Sequence, residues 1–168
     1  MVFVSSIFAF FTCINMAAYS VSKRGLEAFA DCLRVEMASF GVKVSVVQPG
    51  NFGRSTSILK EKSTAAVWEK LGAERRALFS RRYVDLANRY YAASCRAGSK
   101  DGAVVVDAML HAVTAARPRY RYLLASAADT FFFTLLQFLP TALTDAVMTC
   151  SSMYATRAAT LYAAQAAQ

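Results

Sequence analysis

Three polar side chains near the start of the sequence have the types and spacing needed for acid–base chemistry. Ser6 follows an apolar run, Tyr19 comes thirteen residues later, and Lys23 lies four residues beyond Tyr19. Residues four apart share one face of a helix, so the Lys23 ammonium can stabilise a phenolate form of Tyr19. A tyrosine in that setting can act as a general acid or base near neutral pH, while Ser6 donates a hydrogen bond to a substrate oxygen.

The sequence around these residues predicts a strand, a helix and a second strand. Residues 1–4 form a short apolar run, and apolar residues then recur every three to five positions over residues 18–40, as on one helix face. Gly41 follows where a helix C-cap glycine is expected, and the β-branched run 42–47 stops at Pro49 and Gly50. A strand–helix–strand unit of this length is a parallel crossover, with its ligand crevice beyond the carboxyl ends of the strands.

Composition limits the other classes of function. Hydrophobic residues make up 56% of the 168 residues and charged residues 18%, which excludes general disorder. The net charge of +8 permits anionic partners, but the sequence contains no recognisable nucleic-acid-binding module. The four cysteines form no close pair and His111 is the single histidine, so we predict no metal site. We expect His111 to be structural or to lie at the surface. The uncharged start, residues 1–19, leaves open a signal or anchor segment.

The combined motifs resemble the short-chain dehydrogenase/reductase family. They are Val4-Ser5-Ser6, Tyr19-Ser20-Val21-Ser22-Lys23, and the stretches GLEAFADCLRVEM (25–37) and GVKVSVVQPGNF (41–52). The resemblance implies that Ser6, Tyr19 and Lys23 are the catalytic residues of an NAD- or NADP-dependent oxidoreductase. It also implies that Tyr19, Lys23, Pro49 and Gly50 bind the cofactor, and that a secondary alcohol and a ketone are interconverted.

The family's glycine-rich cofactor turn belongs upstream of Ser6, and no G-x-x-x-G-x-G occurs in the 168 residues. We therefore expect an α/β fold that is the C-terminal part of a Rossmann-like doubly wound parallel sheet, with the N-terminal cofactor-binding half missing and the chain an incomplete fragment. As one partial domain it divides into a catalytic strand–helix–strand (1–53), a helical substrate lid (54–102), a last helix and strand with an apolar segment (103–140), and a variable tail (141–168).

Within the family, the sequence is most similar to the mitochondrial branch that acts on 3-hydroxybutyrate and acetoacetate, with retinol- and hydroxysteroid-oxidising branches as near relatives. Residues 54–100 contain 11 Lys and Arg against 4 Asp and Glu, a net +7, which indicates a solvated helical face or a cationic lid for a carboxylate substrate. The other possibility for function is a catalytically inactive form that acts by association with another subunit or a membrane.

The resemblance also sets expectations for partners and location. We expect a small hydroxy or keto substrate, a homo-oligomer and no nucleic acid. The apolar segment 131–139 is too short to cross a bilayer, which needs about 20 residues, but it can lie at a membrane surface. A subunit contact is the equal alternative for this segment. We expect a mitochondrial location, with the endoplasmic reticulum membrane and the cytoplasm as alternatives.

Overall fold

The structure, a computed structural model, describes residues 1–10, 16–56 and 61–150, with side chains described as far as residue 147. Its strands are β1 (Val2–Val4), β2 (Ser45–Pro49) and β3 (Arg121–Leu124), and its helices are α1 (Ala17–Glu36), α2 (Thr64–Glu69), α3 (Ala73–Leu78), α4 (Arg81–Ala97), α5 (Ala103–Thr114), α6 (Ala127–Leu136) and α7 (Thr141–Cys150). Short 3-10 turns cover Ile7–Ala9 and Ala38–Phe40. The predicted tail beyond residue 150 lies outside the described residues.

The chain divides into two compact units, and each is considered by itself. The first contains residues 1–52 and 101–138, and the second contains residues 53–100 and 139–168. The predicted catalytic residues all belong to the first unit, whereas the cationic stretch 54–100 belongs to the second.

The first unit is built on a parallel sheet with the strand order β1–β2–β3. Val4 of β1 pairs with Val47 of β2, and Val47 pairs in turn with Tyr122 of β3. Because all three strands are parallel, their carboxyl ends lie at one edge of the sheet. The predicted parallel α/β architecture is confirmed, and it is consistent with part of a Rossmann-like fold.

The central strand β2 is buried on both faces. Val46 packs with Ala30 of α1 on one face, and Val47 packs with Ala108 of α5 on the other. Neighbouring strand residues point to opposite faces, so α1 and α5 cover opposite sides of the sheet. Burial of each valine stabilises the fold by about 1.5–3 kcal/mol.

The connection from α1 to β2 differs slightly from the sequence prediction. The helix ends at Glu36, and a 3-10 turn follows before Gly41, which adopts the left-handed φ of 71° expected of a helix-terminating glycine. β2 begins at Ser45 rather than residue 42 because the Val42 amide donates a hydrogen bond back to the Met37 carbonyl at 3.2 Å. That bond closes the turn and delays sheet pairing.

The second unit contains the helices predicted for the cationic stretch. The Thr64 hydroxyl of α2 donates to the Asp85 carboxylate of α4 at 2.9 Å, and the Asn88 amide donates to the Lys62 carbonyl at 2.8 Å. These bonds hold the start of α2 against the middle of α4.

Candidate active site

Ser6 lies directly beyond the end of β1. The Ser5 amide still donates to the Val47 carbonyl at 2.8 Å, so the chain remains tied to β2 up to this point. Ser6 then caps the 3-10 turn, its hydroxyl oxygen accepting a bond from the Phe8 amide at 3.3 Å. Accepting that bond uses a lone pair and not the hydroxyl proton, so Ser6 can still donate to a ligand.

Tyr19 and Lys23 lie in the first two turns of α1. The Lys23 Nζ is 5.6 Å from the centroid of the Tyr19 ring, as the four-residue spacing predicts. The same Nζ donates to the Val4 carbonyl at 2.9 Å. One such bond leaves two of the three ammonium protons for other acceptors. The Tyr19 side chain is 40% exposed, so its ring is accessible to a ligand.

Contacts between the end of β1 and the start of α1 bring these residues into one region. The Phe8 ring meets the Tyr19 ring edge-on, with the centroids 6.0 Å apart. The Ser5 hydroxyl is 3.5 Å from the Lys23 carbonyl, to which it donates. Phe8 lies in the turn that Ser6 caps, so the Ser6 turn, Tyr19 and Lys23 form a continuous cluster. Residues 11–15 of the connecting loop lie outside the described residues.

Pro49 and Gly50 lie at the same edge of the sheet. Val4 is in register with Val47, so Ser6, two residues beyond Val4, corresponds to Pro49, two residues beyond Val47. The Gly50 amide donates to the Leu124 carbonyl at 2.9 Å, and a Cβ at Gly50 would lie only 3.2 Å from that oxygen. The close approach favours glycine here because a side chain would push β3 away.

A buried polar network, which sequence reasoning missed, connects α1 to β2 and β3. The Gln48 amide, 1% exposed, donates to both carboxylate oxygens of Glu27 at 2.9 Å. Arg121 of β3 lies 3.6 Å from Glu27 and donates to Asp31 at 2.7 and 3.0 Å. Glu27 is one turn beyond Lys23, and Gln48 immediately precedes Pro49. The sequence signal that could have revealed this network is a polar residue on the buried face of an element, Glu27 in α1 and Gln48 in β2.

Arg34 adds a surface layer to this network. It pairs with Asp31, and its guanidinium lies 5.3 Å from the centroid of the Tyr120 ring. Three side-chain atoms of the described residues are buried without a hydrogen-bond partner, and two of them, Arg34 Nε and Arg121 Nη1, belong to this network; the third is Ser20 Oγ. The network is therefore saturated around Glu27 but incomplete at its outer edge.

His111 is held by Tyr122. Its Nδ1 lies 2.7 Å from the Tyr122 hydroxyl, which also accepts a bond from the Arg119 amide at 3.0 Å. These contacts fix the end of α5 against β3 and give His111 a structural position, separate from Ser6, Tyr19 and Lys23 in sequence and in bonding.

Charged groups in the second unit form their own pairs. Arg96 donates to both oxygens of Glu61 at 2.8 and 2.7 Å and holds the pKa of that carboxyl below its usual 4.5. Burial raises the pKa of Tyr91, and the neighbouring Cys95 raises it further.

The described part of the chain contains neither a candidate metal-binding group nor a candidate membrane-spanning helix. Its Cys, His, Asp and Glu side chains form no group of three that could hold a metal ion. None of its helices combines the length and apolar character needed to cross a membrane.

The chain is similar to known dehydrogenases. The family model described as short chain dehydrogenase matches residues 1–66. The mitochondrial D-beta-hydroxybutyrate dehydrogenase of Mus musculus is 43% identical over 108 residues, covering 62% of this chain and 32% of the relative. Retinol dehydrogenase 7 of Mus musculus is 35% identical over 137 residues, covering 80% of this chain and 43% of the relative.

A third relative extends the same pattern. The 17-beta-hydroxysteroid dehydrogenase type 6 of Bos taurus is 37% identical over 137 residues, covering 80% of this chain and 43% of the relative. The chain thus spans between 32% and 43% of the lengths of these three proteins. No solved structure shows a significant match to the chain.

Proposed function

We propose that the chain belongs to the short-chain dehydrogenase family, whose model matches residues 1–66, and that it acts as an NAD(P)-dependent oxidoreductase that interconverts a secondary alcohol and a ketone. The supporting observation is the cluster at the carboxyl ends of β1 and β2. There the Lys23 Nζ reaches both the Val4 carbonyl, at 2.9 Å, and the Tyr19 ring, 5.6 Å from its centroid. This edge is where ligands bind in open parallel sheets.

In this proposal Tyr19 moves the proton. Its hydroxyl donates a proton to the carbonyl oxygen during ketone reduction, and its phenolate receives the hydroxyl proton of the alcohol during oxidation. Lys23 stabilises the phenolate that remains, because its ammonium is held on the same helix face by the bond to Val4. Removal of such a general acid–base group typically lowers turnover by a factor of about 10²–10⁴.

Ser6 has a separate electrostatic part in the reaction. Negative charge develops on the substrate oxygen as the carbonyl is reduced, and a fixed hydroxyl donor stabilises that charge. The 3-10 turn holds Ser6 in a fixed place, through its bond with Phe8 at 3.3 Å. Loss of one fixed donor of this kind lowers kcat by a factor of about 10²–10³.

The donor set at the site suits one end of a dinucleotide. A phenol hydroxyl, an ammonium and the backbone at Pro49 and Gly50 can bind a ribose and a carboxamide. Tyr19, Lys23, Pro49 and Gly50 would hold this end of the cofactor. When bound, the nicotinamide ring supplies or accepts the hydride. NAD and NADP remain equal candidates.

For the substrate, we propose 3-hydroxybutyrate and acetoacetate or a close analogue. The support is the similarity to a D-beta-hydroxybutyrate dehydrogenase and the net +7 of residues 54–100, which would attract a carboxylate if they form a lid. A retinol or hydroxysteroid substrate is the alternative, supported by the similarity to the other two relatives.

The test is turnover by the 168 residues joined to a glycine-rich cofactor-binding half, since they contain no G-x-x-x-G-x-G of their own. The substrates are acetoacetate, 3-hydroxybutyrate, retinol and a 17β-hydroxysteroid, each with NAD(H) and NADP(H). We expect turnover of the hydroxybutyrate pair, abolished by Tyr19→Phe and strongly reduced by Ser6→Ala. Tyr120→Phe is the matched control, since it removes a hydroxyl from another tyrosine of the same unit and keeps the ring that Arg34 contacts. Equal activity of Tyr19→Phe and the control would refute the assignment.

A catalytically inactive form that acts by association is the second candidate. The observation that favours it is the free edge of β1, which among the described residues pairs with β2 alone. An open strand edge is a template for pairing with another chain. Absence of turnover, together with stable co-purification with a full-length dehydrogenase subunit, would favour this candidate. Absence of turnover without such co-purification would exclude this candidate.

We also propose a homo-oligomer located in the mitochondrion. The location is supported by the similarity to mitochondrial relatives. Segment 131–139 is the proposed contact surface, for a membrane or another subunit, since Phe131 is 72% and Phe138 80% exposed. Cross-linking in the presence and absence of vesicles would separate the two occupants.

A further inference from the structure

The corner between α3 and α4, residues 75–82, is unusual because it presents apolar and cationic side chains together. All residues from Gly72 to Phe79 are exposed, and none of the six residues of α3 is buried. A helix of two turns without a buried face has little stability of its own. A surface that covered the corner would therefore stabilise it.

One arginine attaches α3 to the rest of the unit. Arg76 donates to the Trp68 and Glu69 carbonyls at 3.2 and 2.8 Å, and its guanidinium lies 5.9 Å from the centroid of the Trp68 ring. These contacts hold α3 against the end of α2 and leave Leu78, the last residue of α3, exposed. The attachment fixes the position of the corner without burying its apolar residues.

The tip of the corner is apolar. Leu78 is 68% exposed and Phe79 is 37% exposed, and the Phe79 ring stacks on Tyr83 with the centroids 5.3 Å apart. This stacking orders the aromatic side chain at the turn. Two adjacent, exposed apolar residues at a turn suit shallow insertion into a surface better than the binding of a small ligand.

The tip is flanked by cations. Residues 70–82 contain five Lys and Arg against one acidic residue, 5 − 1 = +4. Arg81 and Arg82 are exposed in the first turn of the 17-residue α4, where the positive end of the helix dipole repels cations. Arg75 is exposed on the other side of the tip. An anionic surface facing the corner would relieve this repulsion.

We propose that the α3–α4 corner docks on an anionic phospholipid surface, with Leu78 and Phe79 at the acyl boundary and Arg75, Arg81 and Arg82 at the lipid phosphates. Apolar insertion and basic flanks are the two contributions that hold a peripheral protein at such a surface. The proposal is independent of the proposed oxidoreductase activity, and its readout is vesicle binding.

The experiment is flotation of the labelled 168-residue chain with phosphatidylcholine vesicles, with and without phosphatidylserine. We expect binding to the anionic vesicles that weakens in about 1 M salt, where the screening length falls to about 3 Å. Arg81→Gln/Arg82→Gln should lower the partition coefficient by about thirty-fold, and Leu78→Ser/Phe79→Ser should also lower it.

Controls separate the corner from total charge, total hydrophobicity and misfolding. Lys100→Gln/Arg117→Gln removes the same two charges elsewhere, and Val106→Ser/Val113→Ser removes two exposed apolar side chains of α5. Both should bind like the parent chain. Arg81→Lys/Arg82→Lys keeps the charge and should retain binding.

Several outcomes would overturn the proposal. One is equal binding to neutral and anionic vesicles. Another is a loss of binding by Lys100→Gln/Arg117→Gln as large as that by Arg81→Gln/Arg82→Gln. The third is binding that Arg81→Gln/Arg82→Gln retains and Phe131→Ser/Phe138→Ser abolishes. Capture by an acidic polypeptide or heparin without vesicle binding would assign the corner to a soluble polyanion instead.

Discussion

Replacement of Gln48 by leucine tests the buried network that connects the site elements. Leucine has a similar volume but cannot donate, so Gln48→Leu removes both 2.9 Å hydrogen bonds to Glu27 while β2 remains packed. The Glu27 carboxylate is then left in a buried position with Arg121, 3.6 Å away, as its remaining cation. The perturbation therefore isolates a buried charge and creates no cavity.

The magnitude follows from these contacts. A hydrogen bond to a charged group contributes about 1.5–3 kcal/mol, and a buried acceptor left without its donor lies at the upper end of that range. We expect Gln48→Leu to lower the free energy of unfolding by about 3 kcal/mol. For a chain of this size the melting temperature should fall by about 6–12 °C.

Urea and thermal denaturation followed by circular dichroism measure this change. Gln137→Leu, the same substitution at an exposed position of the first unit, is the matched control and should be close to neutral. In the double mutant Glu27→Gln/Gln48→Leu the isolated charge is gone. Its loss of unfolding free energy should therefore be smaller than the sum of the losses in the two single mutants by at least about 1 kcal/mol. Additive costs, or a loss under about 1 kcal/mol for Gln48→Leu, would refute the reasoning.

Three further predictions concern other parts of the chain. Gly41→Ala should destabilise the fold by about 1–2 kcal/mol in urea denaturation, because φ is 71° at this position; an unchanged midpoint would contradict this. Arg96 lowers the pKa of Glu61, so the pair stabilises fully above pH 4.5 and loses its contribution as the pH falls through the lowered pKa; Glu61→Gln should flatten the acid side of the melting-temperature profile. If residues 54–100 attract a carboxylate, 3-hydroxybutyrate should be turned over faster than its uncharged ester at low salt, and equal rates would exclude the attraction.

The elements that periodicity predicts are those whose pattern is local. The strand–helix–strand unit follows from an apolar run, a helical repeat and a β-branched run, each complete within its own segment, and the structure confirms the parallel pairing. The last strand predicted within residues 103–140 is β3 (Arg121–Leu124), and it pairs with β2. The end of α1 and the start of β2 lie four and three residues from their predicted positions. The reason is that hydrogen bonds, which periodicity does not encode, close the turn around Gly41.

The site was less accessible from sequence, and the reason is physical. The four-residue spacing of Tyr19 and Lys23 is a helix property, so their proximity could be predicted. The bond from Lys23 to Val4 spans 19 residues, and that from Arg121 to Asp31 spans 90. Such contacts depend on how β1, α1 and β3 pack, which no single segment specifies.

These longer contacts bear on the catalysis that we propose for the cluster. Tyr19 and Lys23 lie near the start of α1, and Glu27 lies one turn further along the same rigid helix. Because Glu27 is bonded to Gln48, the residue before Pro49, the network fixes the rotation of α1 relative to the end of β2. A proton donor must be held to within a fraction of an ångström for efficient transfer. The buried Glu27–Gln48 bond therefore restrains the helix that presents Tyr19, although neither residue lies among the predicted catalytic groups.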